Sequence, residues 1–283
     1  MRKSLTIISI LLNLTVSVSS QNPVNKYYKN GKIKISSFIK NNKYDSTYIL
    51  YFENGNINKT GNFKSINYRA NRKILIQQYC GFGRDTTEPY EGARNGEWKN
   101  FYENGKIESV TNYLGGILIG QSNLFDTIGR LRKNEFYNAG TLIQKQEYSE
   151  SGKLIKFTTR TLKEFKSKGE NSYTITYFDK VLEYYLTGEL KSIGVFNEEE
   201  LLTDKYIEYW KNGIIKNEGE YKNGSRNGIF RDYYENGNTK FEGIFKNGIP
   251  EGNQYFSNEN GENSKIEIWK NGKLINTEIK SSS

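Results

Sequence analysis

"YYENGNTKFEGIFKNGIPEG" (Tyr233–Gly252) contains two Asn-Gly pairs, each two residues after an aromatic ring. The phrase returns as "YYKNGKIKI" from Tyr27, "YFENGNINK" from Tyr51, "FYENGKIES" from Phe101 and "YWKNGIIKN" from Tyr209. Asn-Gly between alternating residues is the strongest short-range hairpin signal. A type I′ turn needs positive φ at both central residues, which Asn tolerates and Gly adopts freely. The expectation is therefore a hairpin at every such phrase.

With the phrase glycine as position zero, anchors fall at Gly31, Gly55, Gly105, Gly129, Gly152, Gly188, Gly213, Gly237 and Gly261. Most lie about 24 residues apart, a period that signals a repeat array. A turn centred on Asn and Gly predicts that position −3 faces +2 and −4 faces +3. Position −3 is aromatic in Tyr28, Phe52, Tyr102, Tyr185, Trp210 and Tyr234, while +2 is Ile or Leu in Ile33, Ile57, Ile107, Leu131, Leu154, Leu190 and Ile215. Glycine recurs at +6 (Gly61, Gly194, Gly219, Gly243) and a ring at +8, with parity that assigns them to the face of +2. Such a glycine leaves a slot for a neighbouring ring. A second turn follows in "YKNGSRNG" and "FKNGIPEG". The fold class is all-β: an elongated antiparallel hairpin meander in one twisted sheet.

These phrases, with "YWKNGIIKNEGEYKNGSRNGIFRDYYENG" and "NGEWKNFYENGKIES", resemble the MORN repeat in the variant form of the bacterial YwqK-family antitoxins. The resemblance covers Tyr27 to Asn67, Tyr90 to Gly152 and Tyr184 to Gly272. It implies a repeat scaffold that binds a protein, with an antitoxin-like or immunity-like role. Two stretches depart from the pattern. "YRANRKILIQQYCGFGRDTTEP" from Tyr68 reads as an insertion near 68–89 or a degenerate unit. "TTRTLKEFKSKGENSYTITYF" from Thr158 reads as an insertion near 158–178, a loop or short helix followed by a strand at "SYTITYF". The array is expected over 21–276, with a polar tail at 277–283.

The N-terminus is of another kind. Arg2 and Lys3 precede the apolar run "LTIISILLNLTVSV", which is of signal-peptide length and too short to span a bilayer. Val18 and Ser20 suit cleavage between Ser20 and Gln21, so residues 1–20 read as a signal peptide and the chain as exported, periplasmic or extracellular. The competing reading is a buried N-terminal strand. Cys80 is the single cysteine, so no internal disulfide can form, and a buried inert thiol is the ordinary reading of it.

The net charge is +9 and hydrophobic residues make up 35%, with 22 Tyr and 15 Phe. A chain rich in Tyr and poor in aliphatics suits a thin β-structure. Lysines alternate with glutamates, as on solvated strand faces. There is no histidine, which removes imidazole bases and imidazole metal ligands. No cofactor, metal or nucleic acid is expected. Glu198, Glu199 and Glu200 form the densest acidic cluster. They read as a solvated loop, with a carboxylate-based glycan hydrolase as the minor alternative.

The functional lead is position −4, whose rings (Tyr27, Tyr51, Phe101, Tyr184, Tyr209, Tyr233) are expected opposite +3 lysines (Lys191, Lys216, Lys240) on the face away from the −3 rings. Such a row suits a protein strand, and secondarily an anionic lipid or polysaccharide surface. The plainer alternative is that rings stack between repeats under lysine stems and only stabilise the sheet. Trp98, Trp210 and Trp269 carry the same two readings.

Overall fold

A computed structural model describes residues 22–40, 43–64, 93–167 and 173–280. The segment containing Arg2, Lys3 and the cleavage site lies outside the described residues, as do Cys80 and all of the 68–89 stretch. The described chain is entirely strand and turn. Its strands are β1 (Asn22–Tyr27), β2 (Ile33–Lys40), β3 (Lys43–Tyr51), β4 (Ile57–Lys64), β5 (Ala93–Phe101), β6 (Ile107–Leu114), β7 (Ile117–Phe125), β8 (Leu131–Asn138), β9 (Thr141–Tyr148) and β10 (Leu154–Ser167). They continue as β11 (Tyr173–Tyr184), β12 (Leu190–Phe196), β13 (Leu202–Tyr209), β14 (Ile215–Lys222), β15 (Ser225–Tyr233), β16 (Thr239–Lys246), β17 (Ile249–Ser257), β18 (Asn263–Lys270) and β19 (Lys273–Ile279). Each pairs antiparallel with its neighbours in chain order, from β1–β2 to β18–β19. The result is one open sheet.

The two rims of the sheet use different turns, and this corrects the expected register. At the phrase itself, the Gly237 N–H donates to the Tyr234 carbonyl (3.0 Å) and the Tyr234 N–H to the Asn238 carbonyl (2.9 Å). Of Asn236 and Gly237, only the glycine has positive φ, at 91°. This is a type I turn closed by a left-handed glycine, a three-residue hairpin loop rather than a two-residue one. Position −3 therefore faces +1, and −4 faces +2, as in Tyr233 with Thr239. A bulge at Lys240 then sets Asp232 opposite Phe241. The extra residue reverses the parity, so +4, +6 and +8 lie on the face opposite +2. Asn was chosen at −1 for another reason than its φ. Its Oδ1 accepts the +1 N–H in the same turn, as Asn236 does from Asn238 (2.9 Å) and Asn212 from Ile214 (3.0 Å).

Type I′ turns occupy the opposite rim. Asn223-Gly224, Asn247-Gly248 and Asn271-Gly272 have positive φ at both residues, near 50° and 80°. They join Lys222 to Ser225, Lys246 to Ile249 and Lys270 to Lys273.

Both departures from the pattern also fall on this rim. Strands β4 and β5 pair directly, Lys64 with Ala93, the two positions that flank a two-residue turn in other units. Strands β10 and β11 form a long hairpin from Lys156–Glu183 to Ser167–Tyr173. The expected loop or short helix after Thr158 is thus strand up to Ser167, in keeping with its β-branched threonines. Pairing with β9 stops at Thr159 and pairing with β12 at Asp179, so the hairpin's end is a two-stranded ribbon. Arg160 and Asp179 clasp its base through two bonds of 2.8 Å. The last strand runs to Ile279, past the expected start of the tail at 277.

The face carrying +4, +6 and +8 is the packed one, called the front face below. Rings from position −7 lie over the +6 glycine of the preceding unit. A Cβ on Gly61 would fall 2.2 Å from Trp98, and one on Gly219 would fall 2.2 Å from Phe230. Ile35, Tyr44, Tyr48, Phe63 and Trp98 form the buried cluster of the first units. Tyr206, Tyr221, Phe230, Phe245, Phe241 and Phe256 make a second chain of ring contacts at 5.1–6.3 Å. Arg94 lies over Trp98 (4.9 Å), and Arg226 stands equivalently over Phe230 and Phe245 (5.1 Å each). Between the clusters the same rows hold Ser122, Lys133, Glu135 and Lys145.

Candidate interaction surface

The structure separates the two halves of the expected binding row. Tyr27, Tyr51, Phe101, Tyr184 and Tyr209 oppose Ile33, Ile57, Ile107, Leu190 and Ile215, and Tyr233 opposes Thr239, all on the back face. Lys191, Lys216 and Lys240 are bulge residues at +3 and belong to the front face. The expected combined aromatic–lysine face does not exist, because the hairpin loop is one residue longer than the type I′ register assumed.

On the front face Lys216 and Lys240 serve the −3 rings. Lys216 lies 5.1 Å from the Trp210 ring centre and Lys240 5.6 Å from that of Tyr234. Lys216 also bonds Glu208 (3.0 Å). The −3 ring is the tie between repeats. The hydroxyls of Tyr28, Tyr102, Tyr185 and Tyr234 donate to the carbonyls of Tyr51, Phe125, Tyr209 and Ser257, at 2.6–3.0 Å. The Trp210 indole N–H reaches the Tyr233 carbonyl in the same way (3.2 Å). Asn104, Asn212 and Asn236 extend their amides to Thr127, Glu235 and Glu259 of the following turn. Where −3 is not a ring, it caps its own turn: Asp126 Oδ1 accepts from Ile128 and Arg130.

An open groove of about 500 Å³ runs between Trp210, Lys216, Asp232, Tyr234 and Lys240. Burial raises the Asp232 carboxyl above its usual range, against the pull of Arg226, Lys240 and Lys216. In the equivalent position Glu208, longer by one methylene, reaches both Lys216 and Asn217.

Along the rim of ring-bearing turns, the back face carries a ring–aliphatic pair at seven of the nine turns among the described residues; at the last two, Tyr233 opposes Thr239 and Ser257 opposes Asn263. Repeats that occupy two strands recur every ~9.6 Å across a sheet. Tyr27 is 58% exposed, Ile33 and Ile57 37% each. Farther from the rim, Ile229 and Ile244 oppose each other on the same face, 47% and 45% exposed. Charges alternate with these apolar positions. Arg231 pairs with Glu242 (2.6 Å), and Glu218 takes bonds from Lys205 (3.1 Å) and the Tyr233 hydroxyl (3.1 Å). Burial would raise the Glu218 carboxyl, but these donors hold it below the usual range. Tyr233 is raised by burial and by that same carboxylate.

Sequence reasoning missed the −7 row, Tyr48, Trp98, Tyr206 and Phe230. Tyr206 and Phe230 stand twelve and eleven residues after a +6 glycine, and that spacing was the available signal; Tyr48 follows Ser37 instead, and at Trp98 the spacing is interrupted by 65–92. Trp98 is structural, 3% exposed with its N–H on the Asn62 carbonyl (3.1 Å). Trp269 bonds Glu267 on the front face (3.1 Å). Glu198, Glu199 and Glu200 share one exposed turn. Glu198 accepts the Tyr177 N–H (3.2 Å), and Glu200 takes the left-handed position, φ 60°. Among the described residues no group of three His, Cys, Asp or Glu could hold a metal ion.

Four segments, 44–65, 94–114, 205–223 and 226–247, match the MORN repeat variant family. Three of them open at position −11 and two close at the type I′ turn, so the family unit is one ring-bearing turn with its two strands. No curated protein matches. Among solved structures, a GtfA/B complex bound to UDP and GlcNAc is 14% identical, over 44% of this chain and 22% of that one, with a TM-score of 0.19. The Photorhabdus luminescens Tc holotoxin pore is 8% identical, over 87% of this chain and 15% of that one, with a TM-score of 0.21. The chain thus spans under a quarter of either, and scores so low carry no argument.

Proposed function

We propose that this chain is a non-catalytic repeat scaffold that binds a protein partner along the back-face row of rings and aliphatics. The supporting observation is the row itself. It recurs with the repeat, alternates with ion pairs, and is not the face on which the −7 rings pack. Rows of this kind match the apolar anchors of a protein partner. The export expected from residues 1–20 would place the encounter outside the cytoplasm, with cleavage near Ser20–Gln21. An immunity-like role, holding a toxin inactive, rests on the family resemblance alone.

An anionic lipid or polysaccharide surface is the second reading, motivated by the net charge of +9. It is disfavoured because Lys205, Lys216, Arg231 and Arg160 are already paired with carboxylates. The glycan-hydrolase alternative is weaker still, since its three glutamates sit on one turn rather than across a cleft.

A photoreactive phenylalanine analogue placed at Phe101, and separately at Lys216, tests the leading reading. Crosslinks to a protein of the native envelope or medium are expected from position 101 and not from 216. Equal crosslinking from both sites, or none from 101, would remove the back face as the recognition surface. Binding to anionic phospholipid vesicles that falls steeply with added salt would favour the second reading instead.

A further inference from the structure

We propose that Asn271 is a self-modifying site, where the side-chain amide cyclises onto the Gly272 nitrogen and ages the last hairpin into aspartyl and isoaspartyl forms. Asparagine is a thermolabile residue, and a following glycine leaves its own nitrogen least hindered as a nucleophile. The Gly272 nitrogen attacks Asn271 Cγ and a C–N bond forms. The side-chain nitrogen departs with the displaced proton as ammonia, leaving a five-membered succinimide. Solvent water then opens either imide C–N bond. One opening gives aspartate; the other gives isoaspartate, with the main chain rerouted through Cβ. No oxidant or further reactant is needed.

The fold sorts its Asn-Gly pairs into three grades by what holds the two reacting groups. On the rim of ring-bearing turns both are held, except at Asn260, where among the described residues only the Gly261 nitrogen is. The Asn104, Asn212 and Asn236 amides accept from +1 and donate to the next repeat, while the nitrogens of Gly105, Gly213 and Gly237 donate to −3 carbonyls. At the interior type I′ turns only the nucleophile is held: Gly224 donates to Leu202 and Gly248 to Arg226 (2.8 and 2.7 Å). At the last hairpin, among the described residues, the Gly272 N–H has no acceptor and the Asn271 amide no partner. The hairpin is also the least protected, since every residue of β19 is exposed. The backbone N–H of Asn271 donates to Glu251 (2.7 Å), so a new carboxylate at 271 would face an existing one. Modification should therefore loosen β19 and bare the edge of β18.

The test is incubation of the purified folded protein at mildly alkaline pH, with peptide mapping for the one-dalton gain and enzymatic methylation to count isoaspartate. The expected order is Asn271 fastest, Asn223 and Asn247 slower, and Asn104, Asn212 and Asn236 slowest. The ends should differ by at least about tenfold, the effect of losing one or two hydrogen bonds. In denaturant that spread should collapse. A rim asparagine reacting first, equal rates in the folded state, or the same order persisting in denaturant would each overturn the proposal.

Discussion

Asn236-Gly237 and Asn247-Gly248 are the same dipeptide eleven residues apart, and they do opposite work. At the first, the asparagine has ordinary φ and acts through its side chain, bonding its own turn and the next one. At the second, both residues are left-handed (51° and 83°), and the link to the preceding repeat is a backbone bond from Gly248 to Arg226. On one rim the turn asparagines bond through their side chains; on the other the turns contribute backbone N–H groups, to carbonyls and to neighbouring side chains such as Asn227 and Glu251. A dipeptide therefore specifies that a turn forms, whereas its neighbours decide which turn it is.

The contrast can be tested by substitution, and the region between the rims sets the scale. Gly61→Ala would drive a methyl group into the Trp98 ring, which sits 2.2 Å from that point. Overpacking of this kind costs about 3 kcal/mol, and calorimetry should show the largest fall in melting temperature here. Gly55→Ala meets nothing within 4 Å and should cost only its positive φ, ~1–2 kcal/mol.

Asn236→Gly and Asn247→Gly divide the rims directly. The first removes two side-chain hydrogen bonds, and ~1–2 kcal/mol is expected. The second keeps a residue suited to positive φ and should stay within ~0.5 kcal/mol of the parent. Equal losses in urea unfolding would erase the distinction between the rims.

A smaller pair probes the ring tie. Tyr234→Phe deletes the hydroxyl on the Ser257 carbonyl and should cost ~1 kcal/mol, with the ring left in place. Position −3 of the second unit is already Phe52, so Phe52→Tyr should restore a tie to the Phe101 carbonyl and stabilise by about the same amount. A destabilised Phe52→Tyr would show that the ring tie is not a property of the repeat.

The smallest effect concerns Asp126, which replaces a ring at −3. Desolvation would raise its carboxyl, but bonds from the Arg130 backbone and side chain and the Ile128 backbone hold it below the usual range. A depressed folded value means the stabilisation is complete above the unfolded pKa, near ~3.9, and disappears as pH falls through the folded one. Asp126→Asn should therefore flatten the acid limb of the stability curve slightly. An unchanged limb would leave Asp126 without a role in its turn.

Fold class, period and turn positions were legible because Asn-Gly and its alternating flanks act locally. Register was not, since adding one residue to a loop leaves the pattern of letters intact while exchanging the partners of Tyr233 and Lys240. The same slip assigned rings and lysines to one surface. The +6 glycines did announce ring slots, but which ring fills each slot depends on the neighbouring strand. The continuation of β10 to Ser167 was hidden by a lysine-rich composition that fits loop and edge strand alike.

The placement of the irregular segments has a consequence for how such a chain can grow. The Lys64–Ala93 junction, the β10–β11 ribbon and the Asn197–Glu200 turn all stand on the rim of the type I′ turns, and none on the rim of interlocking rings. The molecule is bound like a book, with a stitched spine and a loose fore-edge. Foreign segments can be let into the fore-edge one page at a time, and grafts made there should be accepted where the same graft in the spine would undo the stitching.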